Sequence, residues 1–155
     1  MSQSLTRNYI HIVFSTKGRQ ALIIPPIDKD LYSYLAGICK VLDCPVIIIG
    51  GHLDHIHILA MLSKKIALMT LVQKLKANSS KWIKTKWQDF QNFYWQNGYG
   101  SFSVNPKQVD AVTSYISNQK AHHQKTSFQE EYRSCLLYTS PSPRDQRGSR
   151  MPSSA

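Results

Sequence analysis

Val46-Ile47-Ile48-Ile49-Gly50-Gly51-His52-Leu53-Asp54-His55-Ile56-His57-Ile58-Leu59 sits near the middle of a chain of 155 residues. The run 46–49 is apolar and largely β-branched, which predicts a buried strand. Gly50 and Gly51 then punctuate the chain, and Ile56-His57-Ile58-Leu59 begins a second strand. Strand side chains alternate between faces, so His55 and His57 should project together while Ile56 and Ile58 take the other side. Two imidazoles side by side on a rigid strand are ready ligands for a divalent metal. In a chain with six histidines, one His-x-His pair is weak evidence by itself. The partners must come from elsewhere in the sequence.

Upstream, Tyr9-Ile10-His11-Ile12-Val13-Phe14 reads as a first strand, closed by the basic turn Ser15-Thr16-Lys17-Gly18-Arg19. Leu31, Leu35, Ile38 and Leu42 recur at helical spacing, predicting an amphipathic helix from near Asp28 that Pro45 prevents from continuing. Downstream, a second helix is expected from Ala67 to about Lys84. Leu68, Leu71, Val72, Leu75 and Ser79 form one face, and Lys74, Lys76, Lys81 and Lys84 the other. The aromatic stretch 87–100 and Ser101-Phe102-Ser103-Val104 suit a short twisted strand with tight turns. Asn105 offers a cap and Pro106 a first helical residue, with the last helix running to about His123. The order strand, helix, strand, strand, helix, strand, helix is a ferredoxin-like α+β plan. It predicts an antiparallel sheet with helices on one face plus a C-terminal helix.

The bulk composition narrows the class. Length and a 42% apolar content fit one ordinary domain with a real core. The net charge of +10 favours an anionic partner, nucleic acid first. Cys39, Cys44 and Cys135 show no C-x-x-C spacing, so they read as reduced thiols in a cytoplasmic protein. No signal-peptide core and no bilayer-length apolar run is visible, so no membrane partner is expected. One domain is expected over residues 1–134. From Cys135 to Ala155 the character changes to Ser, Pro and Arg without periodicity. That stretch reads as a disordered or non-native tail, with the look of translated sequencing-adapter read-through. It contributes three arginines and one aspartate, a net +2 of the +10, so the body keeps +8 and its case for nucleic acid.

The last predicted helix carries Tyr115-Ile116-Ser117-Asn118-Gln119-Lys120-Ala121-His122-His123. Tyr115 and Gln119 are four apart and should share a face. A phenol is nucleophilic once deprotonated, but with a pKa of about 10 it needs help at neutral pH. A cation bound to a phosphodiester supplies that help by withdrawing charge. His55, His57 and the amide oxygen of Gln119 would make three ligands and leave positions for phosphate oxygens. Asp54 has two readings, an acceptor that orients a ligand histidine or a turn residue.

Asp54-His55-Ile56-His57, followed by Tyr115-Ile116-x-Asn118-Gln119-x-x-His122-His123, resembles the single-tyrosine HUH transposases of the insertion-sequence 200/605 family and their REP-associated relatives. Phe14-Ser15-Thr16-Lys17, Trp95-Gln96-Asn97-Gly98-Tyr99-Gly100 and Phe128-x-x-Glu131 match as well, and the likeness spans about residues 5 to 134. Leu53 stands where the family has a turn residue such as proline. The resemblance implies a small dimeric enzyme that cuts and rejoins single-stranded DNA at hairpin-bearing element ends through a 5′-phosphotyrosine. It implies Tyr115 as nucleophile, His55, His57 and Gln119 as ligands of Mg²⁺ or Mn²⁺, and a tyrosine helix that serves the partner subunit in trans. Lys17, Arg19, Lys74, Lys81 and His122 are the candidate DNA contacts, each with a plainer reading as a solvated or helix-end charge. Two other functions fit the same composition. One is a replication initiator or relaxase of the HUH type, whose chains are usually longer. The other is a non-catalytic ferredoxin-like single-strand binder, against which no RNP-like aromatic sequence appears on the strands.

Overall fold

The structure, a computed structural model, describes residues 4–122, with the backbone alone for His122. The elements are β1 (Asn8–Ser15), α1 (Ile27–Val41), β2 (Val46–Gly51), β3 (His55–Leu62), α2 (Leu68–Lys86), β4 (Gly100–Val104), α3 (Val109–Ser117) and α4 (Gln119–His122). Short 3₁₀ turns occupy Lys17–Arg19, Gln88–Phe90 and Pro106–Gln108. The expected tail, the Phe128/Glu131 pair and the side chains of His122 and His123 lie outside the described residues.

The four strands form one sheet in the order β2-β3-β1-β4, every neighbouring pair antiparallel. That is the ferredoxin-like α+β arrangement the element order predicts. The two central strands are also the most deeply buried. On one face Ile12, Phe14, Ile56, Ile58 and Ala60 meet Leu31, Leu35 and Cys39 of α1 and Leu71, Val72, Leu75 and Ile83 of α2. On the other, Leu59 and Val104 pack with Ile116, flanked by Tyr9, Ile48, Val109, Val112 and Tyr115. So α1 and α2 share a face and α3 covers the opposite one. Burying each of these aliphatic side chains stabilises the fold by about 1.5–3 kcal/mol.

The aromatic stretch after α2 serves packing more than strand formation. Trp95 lies edge-on to Phe14 and Phe93, and its Nε1–H donates to Ser79 Oγ at 2.9 Å. That bond explains a serine on the core face of α2. Trp82 stacks on Tyr34 with centroids 4.5 Å apart, pinning α2 to α1.

Three boundaries differ from expectation, each for a local reason. Gly50 and Gly51 do not end β2 but belong to it, and the turn falls at 52–54. A Cβ on Gly50 would lie 2.6 Å from the Ile116 carbonyl oxygen, and one on Gly51 would collide with the His55 carbonyl. Glycine stands there because α3 and the hairpin partner come that close. Asn105 does cap, accepting from the Lys107 N–H at 2.9 Å, but it caps the 3₁₀ turn that precedes α3. The last helix is not continuous to His123: it breaks at Asn118, whose φ of −98° and ψ of 18° leave the helical region.

Candidate active site

β3 presents its histidines to the face that α3 covers. Both rings are fully buried, while Ile56 and Ile58 point into the α1/α2 core. The alternation expected from the sequence therefore holds. The His55 Nδ1–H donates to Asp54 Oδ1 at 2.8 Å, which orients the ring from the turn just before the strand. Its Nε2 lies 3.1 Å from Gln119 Oε1. Gln119 is itself buried, and its Nε2–H donates to the Tyr115 carbonyl at 3.4 Å. The ring of Tyr115 stands edge-on to His57, with centroids 5.6 Å apart. His55, His57, Gln119 and Tyr115 thus gather within a single chain.

The break at Asn118 changes how Gln119 and Tyr115 are related. They do not share the face of one unbroken helix, because Tyr115 lies in the last turn of α3 and Gln119 opens α4. The kink turns the amide inward toward His55. Lys120, the next residue, donates from Nζ to Asp28 Oδ2 at 3.1 Å, tying this corner to the start of α1.

The donor set suits a divalent cation. With Nδ1–H given to Asp54, a neutral His55 turns the Nε2 lone pair toward Gln119 Oε1, and the bond to the Tyr115 carbonyl holds the amide that way round. Two acceptors facing each other need positive charge between them, a proton or a metal ion. Ligands at right angles on a cation with bonds near 2.1 Å are about 3 Å apart, close to the separation seen here. Among the described residues no three His, Cys, Asp or Glu side chains form a metal-binding group; the third donor here is an amide, a weak ligand that leaves room for phosphate oxygens.

A neighbour of this cluster escaped the sequence reading. His11 on β1 is 4% exposed, and its Nε2 lies 2.8 Å from His57 Nδ1. The two rings are stacked with centroids 5.0 Å apart. The register pairs Val13 with His57, which puts His11 diagonally across from it on the same face. Strand alternation in Tyr9–Phe14 was the available signal, but only the β1–β3 register connects it to His57.

The basic candidates fall into two places. Lys17 and Arg19 are exposed in the turn after β1, and the neighbouring Thr16 N–H donates to the Asp54 carbonyl at 2.8 Å. They therefore flank the turn that carries Asp54 and leads into His55. Lys74 and Lys81 are exposed on α2, on the other side of the sheet. Lys74 lines a groove of about 610 Å³ between α1 and α2, with Tyr34, Ile38, Val41 and Leu42. Lys76 has a structural role: its Nζ donates to the carbonyls of Gln96 and Gly98, and burial lowers its pKa from the ordinary value. Among the described residues no helix is long and apolar enough to cross a membrane.

The family model described as "Transposase IS200 like" matches residues 4–119. A candidate transposase from Deinococcus radiodurans R1 has a similar structure, with a TM-score of 0.60 and 18% identity over 77% of this chain and 98% of its own. A REP-associated tyrosine transposase bound to a REP hairpin is also similar, with a TM-score of 0.60 and 13% identity over 79% of this chain and 74% of its own. No protein of curated function matches the chain.

Proposed function

The chain belongs to the IS200-like transposase family, and from that premise we propose that it cuts and rejoins single-stranded DNA by a metal-dependent reaction in which Tyr115 is the nucleophile. The observation that carries this reading is the convergence of four side chains in one chain. The ring of Tyr115 is 5.6 Å from that of His57, and Gln119 Oε1 is 3.1 Å from His55 Nε2.

Tyr115 Oη attacks the phosphorus of a DNA phosphodiester. The bond from phosphorus to the 3′-oxygen breaks, a 5′-phosphotyrosine forms, and the departing 3′-oxygen takes up a proton to balance the one Tyr115 loses. Attack by a 3′-hydroxyl on the phosphotyrosine reverses the step and rejoins a strand. His55, His57 and Gln119 are the residues that would hold Mg²⁺ or Mn²⁺, and a bound cation supplies charge withdrawal at the scissile phosphate. Asp54 fixes the tautomer and orientation of His55. Burial of both histidines and the amide excludes water from the donors, so their geometry is set before substrate arrives.

The DNA partner follows from charge and from the family. Lys17 and Arg19, beside the Asp54 turn, are placed to take phosphates of a strand entering the site. A hairpin-bearing substrate is the favoured form, since one structural relative is bound to a REP hairpin. The single chain already sets Tyr115 against its own histidines, which supports action on the same protomer's site. The trans arrangement of a homodimer would require α3 to leave the β2–β3 face and dock on a second copy.

The test is an adduct assay. Single-stranded DNA bearing a hairpin is incubated with the protein and Mn²⁺, then denatured and resolved. The wild-type chain should give a protein–DNA species that survives denaturation, and Tyr115→Phe should bind the hairpin without forming it. An adduct of equal yield from Tyr115→Phe, or binding with no adduct from the wild-type chain, defeats the nucleophile assignment.

A further inference from the structure

His11 is a buried polar side chain in contact with the cluster, and the reaction above does not use it. Its ring is stacked on His57 at an interplanar angle of 28° and lies edge-on to Tyr115 at 6.3 Å and tilted to Phe102 at 5.9 Å. A core position filled by imidazole costs desolvation that a leucine would avoid, so the ring nitrogen facing His57 calls for a reason.

The hydrogen bond supplies one. His57 and His11 meet through Nδ1 and Nε2 at 2.8 Å, so one nitrogen of the pair carries the proton and the other accepts it. If His11 Nε2–H donates, a neutral His57 holds its remaining proton on Nε2 and has no lone pair there for a cation. If His57 Nδ1–H donates, its Nε2 lone pair is available, and His11 carries its own proton on Nδ1. Resting on the reading of His57 as a metal ligand, we propose that His11 is a positioning residue that holds the His57 ring and selects its Nδ1–H tautomer.

The assignment gives the two ligand histidines matching supports of different charge. Asp54 receives the Nδ1–H of His55, and His11 receives the Nδ1–H of His57. A neutral acceptor adds no second anion to the buried site. Stacking fixes the ring plane as well as its hydrogen bond. Outer partners of this kind typically control metal affinity by about 10–100-fold.

The experiment compares His11→Phe, His11→Gln and His57→Ala in metal-free protein without DNA. Mn²⁺ binding is followed by the EPR signal of the free ion, and thermal unfolding is recorded alongside. His11→Phe keeps a flat ring and removes the acceptor, and it should weaken Mn²⁺ binding by about 10–100-fold. His11→Gln places an amide oxygen where Nε2 stood and should recover most of that loss. Wild-type Mn²⁺ affinity in His11→Phe overturns the proposal, and so does equal weakening by Phe and Gln. If His57→Ala binds Mn²⁺ like the wild type, the ligand reading itself fails. If His57→Ala loses binding and His11→Phe does not, only the positioning role falls. Long-range ¹H–¹⁵N NMR of the wild-type protein gives a second decision that needs no variant to fold. Nδ1–H on His57 supports the assignment, and Nε2–H overturns it.

Discussion

Gly50→Ala should separate the tyrosine helix from the sheet. A methyl group at this position would stand 2.6 Å from the Ile116 carbonyl oxygen and 2.9 Å from its Cγ2, where ordinary contact begins at 3.4 Å. The difference between 3.4 and 2.6 requires β2 and α3 to part by about 0.8 Å at this point. The nearest obstacle is backbone, so no rotamer change relieves it. Overpacking of this kind costs about 1–3 kcal/mol, which urea unfolding would register. Ile116 is the neighbour of Tyr115 and three residues from Gln119, so the displacement reaches both directly. A misplacement approaching 1 Å typically lowers a positioned reaction by about 10²-fold. The assay is the rate of adduct formation at saturating hairpin DNA and Mn²⁺, with hairpin affinity measured in parallel. Gly37→Ala on α1 is the control, because a Cβ there meets nothing within 4 Å. It should stabilise the helix by about 0.5–1 kcal/mol and leave the rate alone. Wild-type stability together with a wild-type rate in Gly50→Ala would refute the close-packing argument.

Other consequences are open to measurement. Lys120→Met removes the cation that meets the buried Asp28 carboxylate; since the Lys120 side chain is 62% exposed, the loss should be about 1 kcal/mol. It should also weaken Mn²⁺ binding through the adjacent Gln119, and an unchanged Mn²⁺ titration speaks against the tie. Burial, helped by nearby Cys44, raises the Cys39 thiol from 9.0 to about 12. The folded state then keeps a proton the unfolded chain releases, so this contribution is intact below pH 9.0 and disappears as pH rises through about 12. The urea midpoint of the wild type should therefore fall more steeply above pH 9.0 than that of Cys39→Ala, and parallel curves would exclude it. Charge reversal at Lys17 and Arg19 should lower hairpin-DNA affinity and reduce the salt slope by about one for each phosphate that is no longer neutralised. The same change at Lys74 and Lys81, across the sheet, should do less; the opposite ranking would move the DNA path to α2.

The parts of the fold visible in the sequence were those governed by local periodicity. Alternation in 55–59 placed two histidines on one face and two isoleucines on the other, and the 3–4 spacing in Leu31–Leu42 marked α1. Order of elements then sufficed for the sheet. What stayed hidden depended on contacts distant in sequence. His11 looks like any strand residue until β1 is set in register with β3. The kink at Asn118 has no glycine or proline to announce it, yet it decides that Gln119 faces His55. Lys76 resembled its neighbours on α2, and only the loop at 96–98 shows that its charge is already engaged. Asp54 had two readings in the sequence, and its 2.8 Å bond to His55 favours the orienting one.

The interleaving of histidines and core residues along β3 also constrains how this protein can vary. Each histidine is one peptide away from an isoleucine of the opposite layer, so adding or deleting a single residue within 55–59 would exchange the two sets. Imidazoles would then be thrust among the leucines of α1 and α2, and isoleucines would confront Tyr115. Chemistry and solubility would fail in the same event. Length change in descendants of this sequence should therefore be confined to connections such as 43–45 and 63–67, while this strand tolerates replacement but not a shift of frame.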